Sequence, residues 1–324
     1  MGWFFDQAII EAFQNAAPWL KWPFLIITYF GEGLIYIILL AIAFWIYKKK
    51  DAFIAIYVLL TASFLNFFLK IIIRKPRPDH SIRLVEESNF STPSGHAQTS
   101  ATMYGWIMFY FKKIWLYIVI PILVILLCIS RVFLGVHFIG DVIIGLLVGI
   151  AVLAAMYFGI PPLIRWIDTW SDKVKIMVGE IYGLVVFLIT FLIGYFTNWP
   201  LGDETNSSNF VAALLLFPMI IYIESKWIKM NNDNLHWSSK IFRVTVGLIV
   251  TIGFYFGFNE LFDFIIETYS ITNYGLVFLF DFIKYAIVFI VIGLLIPLLF
   301  VKVKYFSRKN EMELKEEKIN LVKS

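Results

Sequence analysis

The sequence predicts an all-α membrane protein: a polytopic bundle of about nine transmembrane helices, with its N-terminus outside and its C-terminus in the cytoplasm. Three observations support this fold class. Of the 324 residues, 60% are hydrophobic and only 15% are charged, whereas soluble domains carry about a quarter charged residues. The mean hydropathy is +0.81. Hydrophobic runs of the length that crosses a bilayer also recur along most of the chain.

The composition excludes several classes of protein. A disordered chain would be far less hydrophobic, and a disulfide-stapled secreted domain would need more than the single cysteine, Cys128. The net charge of +4 arises from residues beside the hydrophobic runs. It therefore reflects membrane topology, and no nucleic-acid partner is predicted.

The chain divides into four predicted parts. Residues 1–22 mix aromatic and polar side chains and predict a short amphipathic helix in the membrane interface. Residues 23–160 form a core of five spans, residues 161–305 add helices of unassigned role, and residues 306–324 form a charged cytoplasmic tail with many basic residues. A span needs about 20 apolar residues. The predicted spans are 24–47, 52–73, 95–111, 114–134, 137–160, 176–197, 209–224, 241–258 and 275–301.

The orientation follows from the positions of the basic residues. With the N-terminus outside, most of the Lys and Arg residues fall in cytoplasmic segments, as the positive-inside rule requires. The remaining ones concentrate in two places, residues 70–83 and Arg131, on the predicted outer face. That concentration of cations outside is the first indication of a functional site.

The first motif places two cations at the end of the second span. Lys70 precedes Arg77 by seven residues, and Pro76 and Pro78 stiffen the chain on both sides of the arginine. A guanidinium suits phosphate oxygens, and a lysine adds a point charge. The partner of these cations is either a phosphate group of a substrate or the headgroups of the surrounding lipid.

The second motif resembles a helix start. In the segment Thr92–His96, Thr92 is the predicted N-cap, and Ser94 and Gly95 lie where an anion can approach the backbone. His96 would lie beside such an anion and could exchange a proton with it. The alternative is an ordinary capped helix with an incidental histidine.

The third motif pairs a histidine with a carboxylate. His137 and Asp141 are four residues apart and are predicted to share one helical face, with Arg131 close before them. A carboxylate on one ring nitrogen makes the other nitrogen a better nucleophile. The alternative is a self-satisfied ion pair. A divalent metal site would lack ligands among so many cations, and no cofactor or metal is expected.

Taken together, the three motifs read K-x6-RP, PSGH and SR-x5-H-x3-D. This pattern resembles the signature of the type 2 phosphatidic acid phosphatase superfamily, which includes membrane lipid-phosphate phosphatases and glucose-6-phosphatase. The resemblance covers roughly residues 24–160. It implies a metal-independent phosphatase that works through a phosphohistidine.

The resemblance also implies a role for each matched residue. His137 would attack phosphorus, Asp141 would orient it, and His96 would protonate the leaving oxygen. The remaining matched residues would hold the phosphoryl oxygens: Lys70, Arg77, Ser94, Gly95 and Arg131.

A site at the outer interface suits a substrate whose tail stays in the bilayer. The predicted function is hydrolysis of a lipid phosphate or isoprenoid diphosphate, such as phosphatidic acid or undecaprenyl diphosphate, in the plasma membrane with the site facing outwards. Two alternatives stay open at this point. The first is a soluble sugar phosphate as substrate, because nine spans resemble the glucose-6-phosphatase arrangement, and the second is an anion transporter or channel.

Overall fold

The computed structural model describes residues 2–197 and 207–303, and these residues form helices and connecting loops without any strand. The charged tail predicted at 306–324 lies outside the described residues. The helices, in chain order, are α1 Gln7–Ala16, α2 Lys21–Tyr29, α3 Gly33–Ile46, α4 Lys49–Ile73, α5 Gly95–Phe111, α6 Leu116–Phe133, α7 Ile139–Ile167, α8 Asp172–Thr197, α9 Ser207–Ile223, α10 Trp237–Thr268, α11 Tyr274–Ile290 and α12 Ile296–Lys302.

The all-α membrane fold is confirmed, and the number of spans stays a prediction. Seven helices of the described chain are long and apolar enough to cross a membrane, or eight if the bent pair 18–29 and 33–46 is counted as one span. The segment predicted as the third span, α5, has 17 residues and begins with polar side chains. Burial of that polar start within the protein allows a helix shorter than the roughly 20 residues a lipid-facing span needs.

The described chain forms two compact units. The first unit holds residues up to Ile37, Ala55–Thr169 and the beginning of α9, and the second holds Ile38–Ile54, residues 170–197 and residues 211–303.

In the first unit, α5 packs along α7 and beside α6, and α2 packs on α6. The N-terminal segment predicted to lie in the interface is docked on protein. Ile10 of α1 is buried, and Gln14 Nε2 donates to the carbonyls of Phe133 (2.7 Å) and Ile82 (3.0 Å). These hydrogen bonds attach α1 to the end of α6 and to the loop that carries the first motif.

In the second unit, α10 packs on α11 and α11 packs on α8. The indole of Trp45 is fully buried and donates to the Ile292 carbonyl at 3.1 Å, while Arg243 donates to the Trp45 carbonyl at 2.9 Å. Lys284 and Asp281 form a buried ion pair of 2.9 Å. Buried charges are therefore paired here, as burial in a membrane protein requires.

Candidate active site

The first-motif cations are held in place by one asparagine. Lys70 lies in the last turn of α4, and its Nζ donates to Asn89 Oδ1 at 2.7 Å and to the Phe90 carbonyl. Arg77 lies in the following loop, where its Nε donates to the Asn89 carbonyl at 2.7 Å and its Nη2 to the Asn89 side chain. Both cations are almost fully buried, so the loop fixes them towards the protein interior.

Arg77 also reaches the histidine of the third motif. Its Nη1 lies 3.1 Å from His137 Nε2 and donates to the Val136 carbonyl at 2.8 Å. His137 is 1% exposed. Burial, followed by the nearby charges of Arg77, Lys70 and Arg131, lowers the pKa of His137 well below its usual value. The imidazole is therefore neutral, which is the state that a nucleophile needs.

Asp141 lies on the other side of the same ring. Its Oδ2 is 3.6 Å from His137 Nδ1 and accepts from the Phe138 backbone N–H at 2.8 Å. The hydroxyl groups of Ser91 and Thr92 also donate to this carboxylate. The prediction that His137 and Asp141 share one helical face is only partly right, because α7 begins at Ile139 and His137 precedes it. Asp141 caps the helix start and reaches His137 from there.

The second motif forms a helix start, but its cap differs from the prediction. Ser94, and not Thr92, is the N-cap of α5, and its Oγ accepts from the Ala97 N–H at 3.5 Å. Thr92 was wrongly assigned because it donates to Asp141 instead. The Ser94 N–H donates to the Asp141 backbone carbonyl at 3.0 Å. This bond attaches the second motif to the third.

Arg131, in the last turn of α6, completes the cationic group and meets a carboxylate that the sequence did not single out. Its Nη1 donates to Thr28 Oγ1 at 2.8 Å and its Nη2 pairs with Glu87. Glu87 also pairs with Arg77 Nη2 at 3.2 Å. Burial by itself raises the pKa of Glu87, but the charges of Arg131 and Arg77 together lower it by more. The pKa of Glu87 therefore lies far below its usual value. A carboxylate anion thus bridges the two predicted phosphate-binding arginines.

His96 lies in the first turn of α5. The ring nitrogen Nε2 of His96 is 3.0 Å from Glu32 Oε1. The hydrogen-bond partner of His96 is therefore a residue outside the three motifs.

Four further residues of the site were not predicted: Glu87, Asn89, Ser91 and Asn66. Asn66 of α4 donates to the Pro93 carbonyl at 3.3 Å and to Gln98 Oε1 at 2.8 Å, and so supports the second motif. No pattern in the sequence separates Glu87 from the neighbouring acidic residues of its loop, Asp79 and Glu86. Their roles depend on how the loop folds back towards α6.

No three His, Cys, Asp or Glu side chains come together as a possible metal site within residues 2–197 and 207–303. The charge that faces an anion in this site is instead supplied by Lys70, Arg77 and Arg131.

Two family models match the chain. The model of the PAP2 superfamily covers residues 51–165, and a model described as the transmembrane extension of PAP2 superfamily phosphatases covers residues 208–309. The second match lies in the part of the chain to which the sequence motifs assigned no role.

Among proteins of known function, phosphatidylglycerophosphatase B of Bacillus subtilis is 35% identical over 162 residues, which are 44% of this chain and 79% of that protein. Sphingosine-1-phosphate phosphatase 1 of Rattus norvegicus is 32% identical over 176 residues, 50% of this chain and 39% of that protein. The match therefore spans well under half of the rat protein.

Two solved structures are similar. A transmembrane PAP2-type phosphatidylglycerolphosphate phosphatase from Bacillus subtilis has a TM-score of 0.42 and 32% identity, covering 48% of this chain and 86% of that chain. LpxE of Aquifex aeolicus has a TM-score of 0.41 and 22% identity, covering 46% and 93%.

The described chain is a helical membrane protein in which buried cations surround a histidine, an arrangement suited to an anion. The chain belongs to the PAP2 superfamily and is a membrane phosphatase. These comparisons favour the enzyme over the anion transporter.

Proposed function

We propose that this phosphatase hydrolyses a lipid phosphate or an isoprenoid diphosphate through a phosphohistidine on His137, without a metal ion. One observation supports this most directly: the Glu87 carboxylate lies between Arg77 and Arg131, and Arg77 contacts His137. A phosphoryl group carries more charge and more acceptor oxygens than a carboxylate. It can therefore replace Glu87 between the arginines and bring phosphorus close to the imidazole.

In the first half-reaction, His137 Nε2 attacks phosphorus, because Nδ1 faces Asp141. The P–N bond forms as the P–O bond to the leaving oxygen breaks, and His96 gives its proton to that oxygen. The leaving oxygen is the alcohol oxygen of a lipid phosphate or the bridging oxygen of a diphosphate, which leaves as the lipid monophosphate. Lys70, Arg77 and Arg131 stabilise the charge on the phosphoryl oxygens. We assign the Ser94 hydroxyl and the Gly95 amide to the same oxygens, at the start of α5.

In the second half-reaction, the neutral His96 takes a proton from water, and the water oxygen attacks phosphorus. The P–N bond breaks, inorganic phosphate leaves, and both histidines return to their starting states. Arg131 suits the binding of phosphoryl oxygens because its Nε is buried and finds no hydrogen-bond acceptor among the described residues. A phosphoryl oxygen would satisfy that buried donor.

A lipid substrate fits the position of the site. Lys70 and Arg131 lie in the last turns of α4 and α6, two of the candidate spans. A headgroup phosphate can reach them while the acyl or isoprenoid chain stays in the bilayer. The names of the relatives, a phosphatidylglycerophosphatase and a sphingosine-1-phosphate phosphatase, also favour a lipid.

We place the site on the outer face of the plasma membrane, because the basic residues distribute as the positive-inside rule requires. The surrounding bilayer and the lipid phosphate are the partners that this proposal needs.

The full chain, purified in detergent, tests the proposal with a panel of radiolabelled lipid phosphates, isoprenoid diphosphates and sugar phosphates. We expect phosphate release from lipids, unaffected by EDTA and inhibited by vanadate, which imitates the phosphoryl transition state. His137→Asn is expected to lose at least about 1,000-fold in kcat. A preference for soluble esters, or strict dependence on magnesium, would contradict the proposal.

A further inference from the structure

Glu32 lies at the break between α2 and α3 and contacts one of the two histidines. Its Oε1 is 3.0 Å from His96 Nε2, and the side chains are 33% and 9% exposed, respectively. The two residues are 64 positions apart in the chain. The two helices differ in direction by 41° across this break, so the carboxylate emerges from a bend and not from a continuous helix face.

Three further contacts fix that bend to the helices of the site. Thr28 accepts from Arg131 Nη1 at 2.8 Å, and the Phe30 carbonyl accepts from the Tyr104 hydroxyl at 2.6 Å. A Cβ at Gly31 would lie only 2.5 Å from Cδ2 of His96. Glycine at position 31 therefore lets the ring approach the backbone, while Thr28 and Phe30 keep the bend against α6 and α5.

The two histidines consequently have opposite surroundings. His137 is buried among cations and its pKa is lowered well below the usual value. His96 instead faces the carboxylate of Glu32 at hydrogen-bond distance. The groups that act on the Glu32–His96 pair from other elements are Arg131 and Glu87.

We propose that Glu32 is a positioning residue that holds the ring of His96 in the orientation required of the general acid. This inference rests on the proposed function. Glu32 does not touch phosphorus or the leaving oxygen: its carboxylate holds the His96 ring by a hydrogen bond while the P–O bond breaks and again while His96 takes the proton from water.

The test compares two phosphate monoesters in the full detergent-solubilised protein. An alkyl ester such as phosphatidic acid needs a proton on its leaving oxygen, whereas p-nitrophenyl phosphate releases a stable phenolate. Glu32→Gln is expected to lower kcat/KM for the alkyl ester by about tenfold or more and to change kcat/KM for the aryl ester much less, because kcat/KM reports the step in which the leaving group departs.

Two further variants test whether the selective loss in Glu32→Gln arises from the contact between Glu32 and His96. Glu32→Asp retains the charge and should recover part of the alkyl-ester activity. His96→Ala should show the same selectivity, and adding Glu32→Gln to it should cost little more, because residues that act as a unit are not additive. The matched control is Glu86→Gln, since Glu86 forms an exposed pair of 3.1 Å with His80. This control should leave kcat/KM for both substrates unchanged.

The outcomes separate the inference from the proposed function. A wild-type protein that releases phosphate from neither of these esters nor from an isoprenoid diphosphate refutes the proposed function and the inference with it. An active wild type whose Glu32→Gln variant is unchanged, or loses kcat/KM for both esters equally, overturns the inference alone. If Glu32→Gln does not purify as a folded protein, Glu32→Asp decides: its more distant carboxylate should show a weaker form of the same selective loss, and a wild-type ratio of the two activities overturns the proposal.

Discussion

At the scale of single residues, the charge state of His137 is set by its surroundings. Its pKa is lowered by burial and by Arg77, Lys70 and Arg131. A base with a lowered pKa keeps its neutral form to a lower pH, so the fall in kcat/KM on the acid side should lie below pH 6.5. The measurement is kcat/KM against pH, after allowing for the second ionisation of the phosphate ester near roughly pH 6. An enzyme group that titrates at or above pH 6.5 on the acid side would contradict this assignment.

A second residue-scale prediction concerns Glu87, which lies between two arginines and competes with the substrate phosphate for them. Glu87→Gln removes the charge but retains the size of the side chain. It is expected to lower the inhibition constant of vanadate by about tenfold, the equivalent of roughly 1.4 kcal/mol. Glu86→Gln, one residue earlier and exposed, provides the control. Weaker vanadate binding in Glu87→Gln would show instead that Glu87 mainly positions the arginines.

At the scale of elements, the contact between α5 and α7 depends on two glycines spaced four residues apart. A Cβ at Gly145 would lie 2.5 Å from the Ser94 carbonyl oxygen, and one at Gly149 would lie 2.5 Å from that of Gln98. Backbone atoms cannot move aside as a flexible side chain can. Small residues with this spacing allow close helix packing in membranes. Here they bring the second and third motifs together.

Gly145→Ala should therefore separate the start of α5 from α7 and disturb the link between Ser94 and Asp141. Overpacking of this kind costs about 1–3 kcal/mol, so we expect a lower melting temperature and at least about a tenfold loss of kcat. Gly159→Ala lies on the same helix, where the added methyl group has open space. Equal behaviour of the two variants would argue against close packing at Gly145.

At the scale of the whole molecule, the orientation in the membrane stays a prediction. It can be tested with single cysteines, after replacement of the native Cys128, which is buried. Ser81 and Ser171 are both exposed and lie in loops predicted to be outside and inside, respectively. A membrane-impermeant maleimide should label Ser81→Cys in intact cells and Ser171→Cys only after permeabilisation. The reverse pattern would place the site in the cytoplasm.

Much of the site could be predicted because its chemistry is encoded in short stretches of chain. Lys70, Arg77, Arg131, His137 and Asp141 all lie within the first unit, and Asp141 reaches His137 over four residues. Local spacing fixes such a pair. By contrast, the partner of Thr92 was misassigned, because a hydroxyl at a helix start can cap that helix or donate to a carboxylate 49 residues away.

The sequence by itself determined that this protein is a helical membrane phosphatase, because hydrophobic length, the distribution of cations and three motifs are properties of the linear chain. Only the tertiary structure decided which carboxylates meet those motifs. Glu87 reaches Arg131 across 44 residues and Glu32 reaches His96 across 64. Such contacts depend on a loop folding back and on a bend between two helices, and neither leaves a periodic signal in the sequence. The physical reason is that pairing over such distances is set by packing, while the patterns readable along a chain are set by its local geometry.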